Sequence, residues 1–342
     1  MEETNIENLH SDWKMSTEDR LAFWKTLCGL HSENMVDDSQ RLKAAIKYPR
    51  YLYRYRSVNN NSLAALMDNK LFFSTPNYYD DPFDTFLRIY KDKVIMHVQQ
   101  DLMSSERITD YASFHKISSE TAENSISNIL YNFIYLYKEN SFSYLREVLR
   151  NESYSVCFAD TWKNEALWLK YADQHRGFAI VYDLQDPGAC LCGGEENCFS
   201  CQMLNTSIEC YPVCYTNEKY DATEYAKYLA VFQAFKFKND NYIYHLRDTL
   251  PPFHWEREKI TLIKKRCHEY DEEWRGILNS KYQFDSNGTV FKKVKPYAVI
   301  LGLKIQDNER RLVINAAKSA GIDAIGKIVI LNDELNLQPI II

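Results

Sequence analysis

Two arginines on one short strand and a late acidic stretch are the residues of this chain best suited to chemistry. In Tyr51-Leu52-Tyr53-Arg54-Tyr55-Arg56 the tyrosines alternate with Leu52, Arg54 and Arg56, the two-residue period of a strand, so Arg54 and Arg56 project from one face. A guanidinium is planar and permanently charged, which suits a diphosphate. In Asp271-x-Glu273-x-Arg275 the three charged side chains line up if the segment is a strand and scatter if it is a helix. Between them, Leu71 to Thr75 has the aromatic and β-branched make-up of a buried strand that Pro76 ends. Asn77-Tyr78-Tyr79-Asp80-Asp81-Pro82-Phe83-Asp84 then reads as an ordered turn, in which Asn77, Asp80 and Asp81 bond nearby amides and Phe83 is an apolar anchor. Such loops at strand ends are where sites are built.

The elements that must position these residues follow from periodicity. Ser62 is the expected N-cap of a short helix carrying Leu63, Leu66 and Met67 between the two strands, with Asn69 as its stop. Residues 90 to 150 carry a helical stripe, Tyr154 to Ala159 returns to strand, and Glu165 to Ala172 is a short amphipathic helix. Gly177 suits a left-handed cap before the strand Phe178 to Tyr182. Trp168, Tyr171 and His175 share a face if that helix persists, and two readings of His175 stay open, a capping residue or a donor beside a ligand. Residues 222 to 268 read as helical, interrupted at Pro251-Pro252. The end of the chain alternates strand (297–303), helix (308–320), strand (322–331) and strand (337–342). Without regular βαβ repetition this predicts an α+β domain from about residue 50 to 342. Residues 1–49 form an appended helical extension that packs on it, or alternatively an arm that binds a partner.

Nine cysteines in 342 residues are thiols or metal ligands rather than disulfides if the protein is cytoplasmic. The insertion 186–214 crowds Cys190-x-Cys192, Cys198-x-x-Cys201 and Cys210-x-x-x-Cys214 together. Cys190, Cys192, Cys198 and Cys201 could close a structural zinc site, with reduced surface thiols as the alternative. A formal charge of -6 argues against a protein that coats nucleic acid. No apolar run is long enough to span a bilayer, and the amino terminus lacks a signal pattern, which sets the expectation of a cytoplasmic protein. No glycine-rich phosphate loop is present.

Tyr53-Arg54-Tyr55-Arg56, Leu71-Phe72-Phe73-Ser74 and Asp81-Pro82-Phe83-Asp84 resemble the mainly bacterial family catalogued as domain of unknown function 2971. Cys157-Phe158, the run from Trp168 to Gly177 and Tyr270 to Arg275 extend the resemblance over about residues 50 to 330. That family carries no assigned activity. The order of features is more distantly similar to the layout of ADP-ribosyltransferases, which hold NAD in a split sheet. That resemblance implies a mixed split sheet flanked by helices and NAD as substrate, and the company such bacterial families keep sets the expectation of a toxin or antiviral defence setting. It also implies roles: Arg54 or Arg56 on the NAD ribose or pyrophosphate, Ser74 beneath the nicotinamide, Tyr78 or Tyr79 stacking on it, and Glu273 on the ribose hydroxyl. Asp271 stands where a second glutamate is usual, which leaves the acceptor open, protein or nucleic acid.

Two rival readings remain open at this point. Asp80, Asp81, Asp84, Glu165 and Glu273 would serve a magnesium-dependent nuclease if they converge. A non-enzymatic sensor or interaction module would instead pair Glu273 with Arg275. The expected cleft contains Arg54, Arg56, Ser74, Tyr79, Asp81 and Glu273.

Overall fold

The computed structural model describes residues 6–9, 13–30, 35–79, 81, 83–151, 153–184, 210–250, 253–278 and 289–340. Alternating and apolar runs become strands β1 (Tyr51–Arg56), β2 (Lys70–Ser74), β3 (Leu87–Arg88), β4 (Tyr154–Ala159), β5 (Phe178–Asp183) and β6 (Cys210–Pro212). After these come β7 (Cys214–Thr216), β8 (Tyr220–Asp221), β9 (Ile263–Lys265), β10 (Glu273–Leu278), β11 (Thr289–Lys293), β12 (Ala298–Leu301), β13 (Ile325–Leu331) and β14 (Glu334–Pro339). Ten of the described strands join one mixed sheet in the order β11-β2-β4-β1-β5-β12-β13-β14, with β10 beside β4 and β6 beside β10. Within it β12 and β13 run parallel, joined through the helix Asp307–Ser319, and the other described pairs are antiparallel. Helices flank this sheet, as the α+β reading requires.

The sheet is split at β4. β10 pairs along the whole of β4, from Glu273 opposite Ala159 to Leu278 opposite Tyr154. β1 meets β4 only at Tyr53 opposite Ala159, and β2 only at Ser74 opposite Ser155. Ala159 and Ser155 are each already paired with β10, so β1 and β2 must both lie on the other edge of β4. Between those two contacts Val156, Cys157 and Phe158 face no described strand on that edge. β1 leaves β4 just where Arg54 begins.

Three apolar cores hold this arrangement. One joins Leu52, Phe73, Val156, Phe158, Phe178 and Val299 to the helix Asp307–Ser319. Met15, Phe23, Leu27, Leu42 and Ile46 of the amino-terminal segment belong to the same cluster, which is how its helices Thr17–Cys28 and Met35–Ala44 pack on the sheet. A second core gathers Tyr53, Tyr55, Trp162, Trp168, Val181 and Ile300. The third lies inside a helical layer, Lys91–Leu102, Ser105–His115, Ser119–Asn151, Thr223–Lys236 and Tyr242–Thr249, around Val98, Ile126, Phe133 and Phe235.

Several local expectations change. The helix Asn60–Met67 is capped by Asn59, whose side chain accepts from the Ser62 N–H while the Ser62 hydroxyl accepts from the Asn59 N–H. Ser62 is thus the third residue of a capping box, and not the cap. Residues 222–268 are not helical throughout, since β9 and the 3-10 turn Arg266–Asp271 close them. Gly177 is not left-handed. Asp173, Gln174 and His175 take positive φ instead, at 45°, 55° and 71°. Glycine is required at 177 by close approach, because a Cβ there would stand 2.1 Å from the carbonyl oxygen of Arg56.

Candidate functional site

The split opens a cavity of about 260 Å³. Its floor is β4 from Ser155 to Ala159, including the stretch open on one edge, and its walls come from β1, β2, the turn after β2, and the β9–β10 region. Arg54, Arg56, Ser74, Tyr78, Tyr79, Asp81, Asp271 and Glu273 all line it, so one site brings together these eight sequence-derived candidates.

Arg54 and Arg56 are each part-buried. Burial lowers both from the usual arginine value, with the neighbouring guanidinium the next cause for Arg54. The opposing influences on them are Tyr182, Cys157 and Tyr79, and among the described residues no carboxylate pairs with either guanidinium. Two part-buried cations held side by side without a counter-ion among the described residues are costly, and an anionic ligand would relieve that cost.

The facing chemistry is a chain of buried ion pairs. Glu273 and Arg275 alternate on β10, and Arg275 Nε donates to Glu273 Oε1 at 2.6 Å. Arg275 also grips Asp84 through both terminal nitrogens, at 2.9 and 2.7 Å, and is fully buried. Lys264 on β9 bridges Glu273 Oε2 at 2.9 Å and Asp271 Oδ2 at 2.8 Å. Burial pushes the Glu273 carboxyl up, but Arg275 and then Lys264 outweigh it and hold it well below the ordinary carboxylate range. Burial likewise opposes charge on Lys264, and Glu273 and Asp84 overcome it. Glu273 is therefore an ionised carboxylate at neutral pH. Three carboxylates, Asp84, Asp271 and Glu273, against two cations, Lys264 and Arg275, leave this wall with one excess negative charge. The Cys157 thiol beside Glu273 is pushed up to about 12, by burial first and Glu273 next, so it stays protonated.

The main chain of Glu273 is fixed as firmly as its side chain. Its N–H donates to the Tyr215 hydroxyl at 2.8 Å, and its carbonyl accepts from the buried guanidinium of Arg20 at 2.7 Å. Arg20 sits on the amino-terminal helix and also bonds Asp160 at 2.9 Å. The amino-terminal segment thereby anchors the first residue of β10.

Not every expectation about the site holds. Asp271 is not on the strand, because β10 begins at Glu273 and Glu272 takes a left-handed φ of 46°. Asp271 reaches the site from the preceding 3-10 turn, held by Lys264. His175 does not line the cavity. Its ring stacks on Trp168 at 6.1 Å between centroids, its backbone N–H donates to the Trp168 carbonyl at 3.1 Å, and burial lowers the basicity of the ring, so the residue closes a turn. Tyr171 stands on the rim, while Trp168 is core. Tyr79 lies under Arg275, 5.0 Å from ring centroid to guanidinium carbon, with its hydroxyl on Ser155. Tyr78, 58% exposed, is the freer ring at the mouth. Phe83 is 70% exposed and anchors nothing, because the turn is held by polar bonds, Phe83 N–H to Asp81 Oδ1 at 2.8 Å among them. Asp80 and Pro82 lie outside the described residues. So do Cys190, Cys192, Cys198 and Cys201 of the expected zinc site, while Cys210 and Cys214 are buried thiols in β6 and β7.

Lys264 has no strand signal in the sequence, because Leu262-Ile263-Lys264-Lys265 does not alternate and lies in a stretch that reads as helix. Arg20 carried no sequence signal, since the residue it holds is far away along the chain.

Residues 167–276 match the model of a family described as Protein of unknown function (DUF2971). That stretch carries Lys264, Asp271, Glu273 and Arg275, whereas Arg54, Arg56, Ser74 and Asp81 precede it. No curated protein and no solved structure is matched by the chain.

Proposed function

We propose that this chain binds a diphosphate-bearing nucleotide of the NAD type in the split of its sheet and cleaves the bond between nicotinamide and ribose, in the manner of an ADP-ribosyltransferase or NAD glycohydrolase. The observation that carries this reading is the meeting on one cavity of two guanidiniums without a carboxylate partner and a buried, ionised glutamate. Arg54 and Arg56 take the diphosphate, for which planar, always-charged donors are suited. Loss of nicotinamide leaves positive charge on the ribose, and a carboxylate already fixed beside it stabilises the transition state more than the ground state. Arg275 and Lys264 keep Glu273 ionised and aimed, and Arg20 and Tyr215 hold its backbone.

A cavity of about 260 Å³ suits the ribosyl end of such a molecule, with the remainder lying over the rim residues Phe72, Tyr78 and Tyr171. A protein or nucleic-acid acceptor would approach over the same rim, and a cytoplasmic toxin or antiviral effector is the setting this chemistry fits. Among the described residues no helix is long and apolar enough to cross a membrane. The nuclease reading is less well supported. Glu165 lies outside the cavity, and the described residues contain no group of three acidic, His or Cys side chains placed for a metal.

The test is nicotinamide release by the full chain, wild type against Glu273→Gln, with and without protein and nucleic-acid acceptors. The expected loss is on the order of a hundredfold or more, as for removal of other fixed transition-state charges. Absence of release with every acceptor would refute the proposal, and binding without turnover would return the chain to the interaction-module class.

A further inference from the structure

Three buried polar atoms of the cavity's lining residues have no hydrogen-bond partner among the described residues: Asp271 Oδ1, Asp81 Oδ2 and His268 Nδ1. Asp271 is the most telling, being 3% exposed, with Oδ2 on Lys264 and Oδ1 on nothing. Asp81 and His268 stand together, 3.3 Å between Asp81 Oδ2 and His268 Nε2, without hydrogen-bond geometry. A buried carboxylate oxygen left unsatisfied is costly, and native structures rarely keep one without a reason. Asp271 is such a carboxylate, and with the part-buried Asp81 beside it, held only at ion-pair distance from His268, the cavity calls for a ligand that donates.

Lys264 already occupies Asp271 Oδ2 and Glu273 Oε2 at 2.8 and 2.9 Å, so what stays open on Asp271 is the single acceptor atom Oδ1, which one hydroxyl proton fills. Neutral hydroxyls meet the need. We infer that Asp271, supported by Asp81 and His268, forms a hydroxyl-reading subsite, so that the site selects a phosphorylated sugar with free hydroxyls over an anion alone. This rests on the proposed placement of phosphate at Arg54 and Arg56. It adds a specificity-determining residue from outside the strand that carries Glu273.

Calorimetric titration of the full chain at fixed ionic strength with inorganic pyrophosphate, ADP and ADP-ribose, which adds the second ribose and its hydroxyls, tests it. ADP-ribose should bind about tenfold or more tightly than ADP, as hydrogen bonds to a charged acceptor imply. In Asp271→Ala that ratio should fall to about one while pyrophosphate affinity holds, and Asp81→Ala serves the same comparison if Asp271→Ala does not fold. Equal binding of ADP-ribose and ADP by wild type, with pyrophosphate also bound, overturns the hydroxyl subsite and leaves the anion site standing. No binding of any of the three overturns the phosphate placement itself.

Discussion

Arg20 Nη1 donates to the carbonyl oxygen of Glu273 at 2.7 Å, so a residue of the first helix holds the backbone of the site's central carboxylate. The same guanidinium bonds Asp160, and Asp160 in turn accepts from Trp274 at 3.1 Å and from the Met15 N–H at 3.2 Å. The amino-terminal segment is therefore part of the site's scaffold.

Arg20→Leu would remove one partner of a buried ion pair and leave Asp160 uncompensated. The expected cost is about 3–5 kcal/mol, read as a lowered urea midpoint. Activity per folded molecule should fall too, since β10 loses its anchor. A variant with unchanged stability would show that the contact is dispensable.

Glu273 gives a defined acid dependence. Its folded-state value lies below the unfolded one, near 4.5, so the folded state binds fewer protons between the two. Its contribution is complete above about pH 4.5 and is lost progressively as the pH falls below that. Wild type should therefore lose stability more steeply than Glu273→Gln under acid, by up to about 1.4 kcal/mol per pH unit. Parallel acid-unfolding curves would contradict the ionised state assigned to this carboxyl.

Gly177→Ala places a Cβ 2.1 Å from the Arg56 carbonyl oxygen and 2.9 Å from the Ala172 Cα. Both are backbone atoms and cannot swing aside, so β1 must shift. The expected cost is about 1–3 kcal/mol, with pyrophosphate binding weakened because Arg54 and Arg56 ride on the displaced strand. Thermal unfolding and calorimetry on the same variant check the two effects together.

Periodicity and residue type alone determined the α+β class, the strand carrying Arg54 and Arg56 and the aromatic strand ending at Pro76, while for Glu273 and Arg275 they left strand and helix open. These are local properties. A two-residue alternation fixes which side chains share a face whatever the strand packs against. The ends of elements were less legible, and Asp271 shows why: nothing within a few residues distinguishes a strand from a 3-10 turn closed by a left-handed Glu272.

The rest belongs to tertiary structure. Only the departure of β1 and β2 from β4 opens the cavity, and only the packing of β9 beside the turn brings Lys264 between two carboxylates. His175 had the residue type and glycine neighbour of a functional histidine, yet three left-handed residues turn it onto Trp168. Arg20 had no motif at all, because burial makes its charge consequential and burial depends on the whole chain. Spacing encodes which groups can share a face; partners and dielectric, which set the chemistry those groups can do, arise only when distant segments exclude water together.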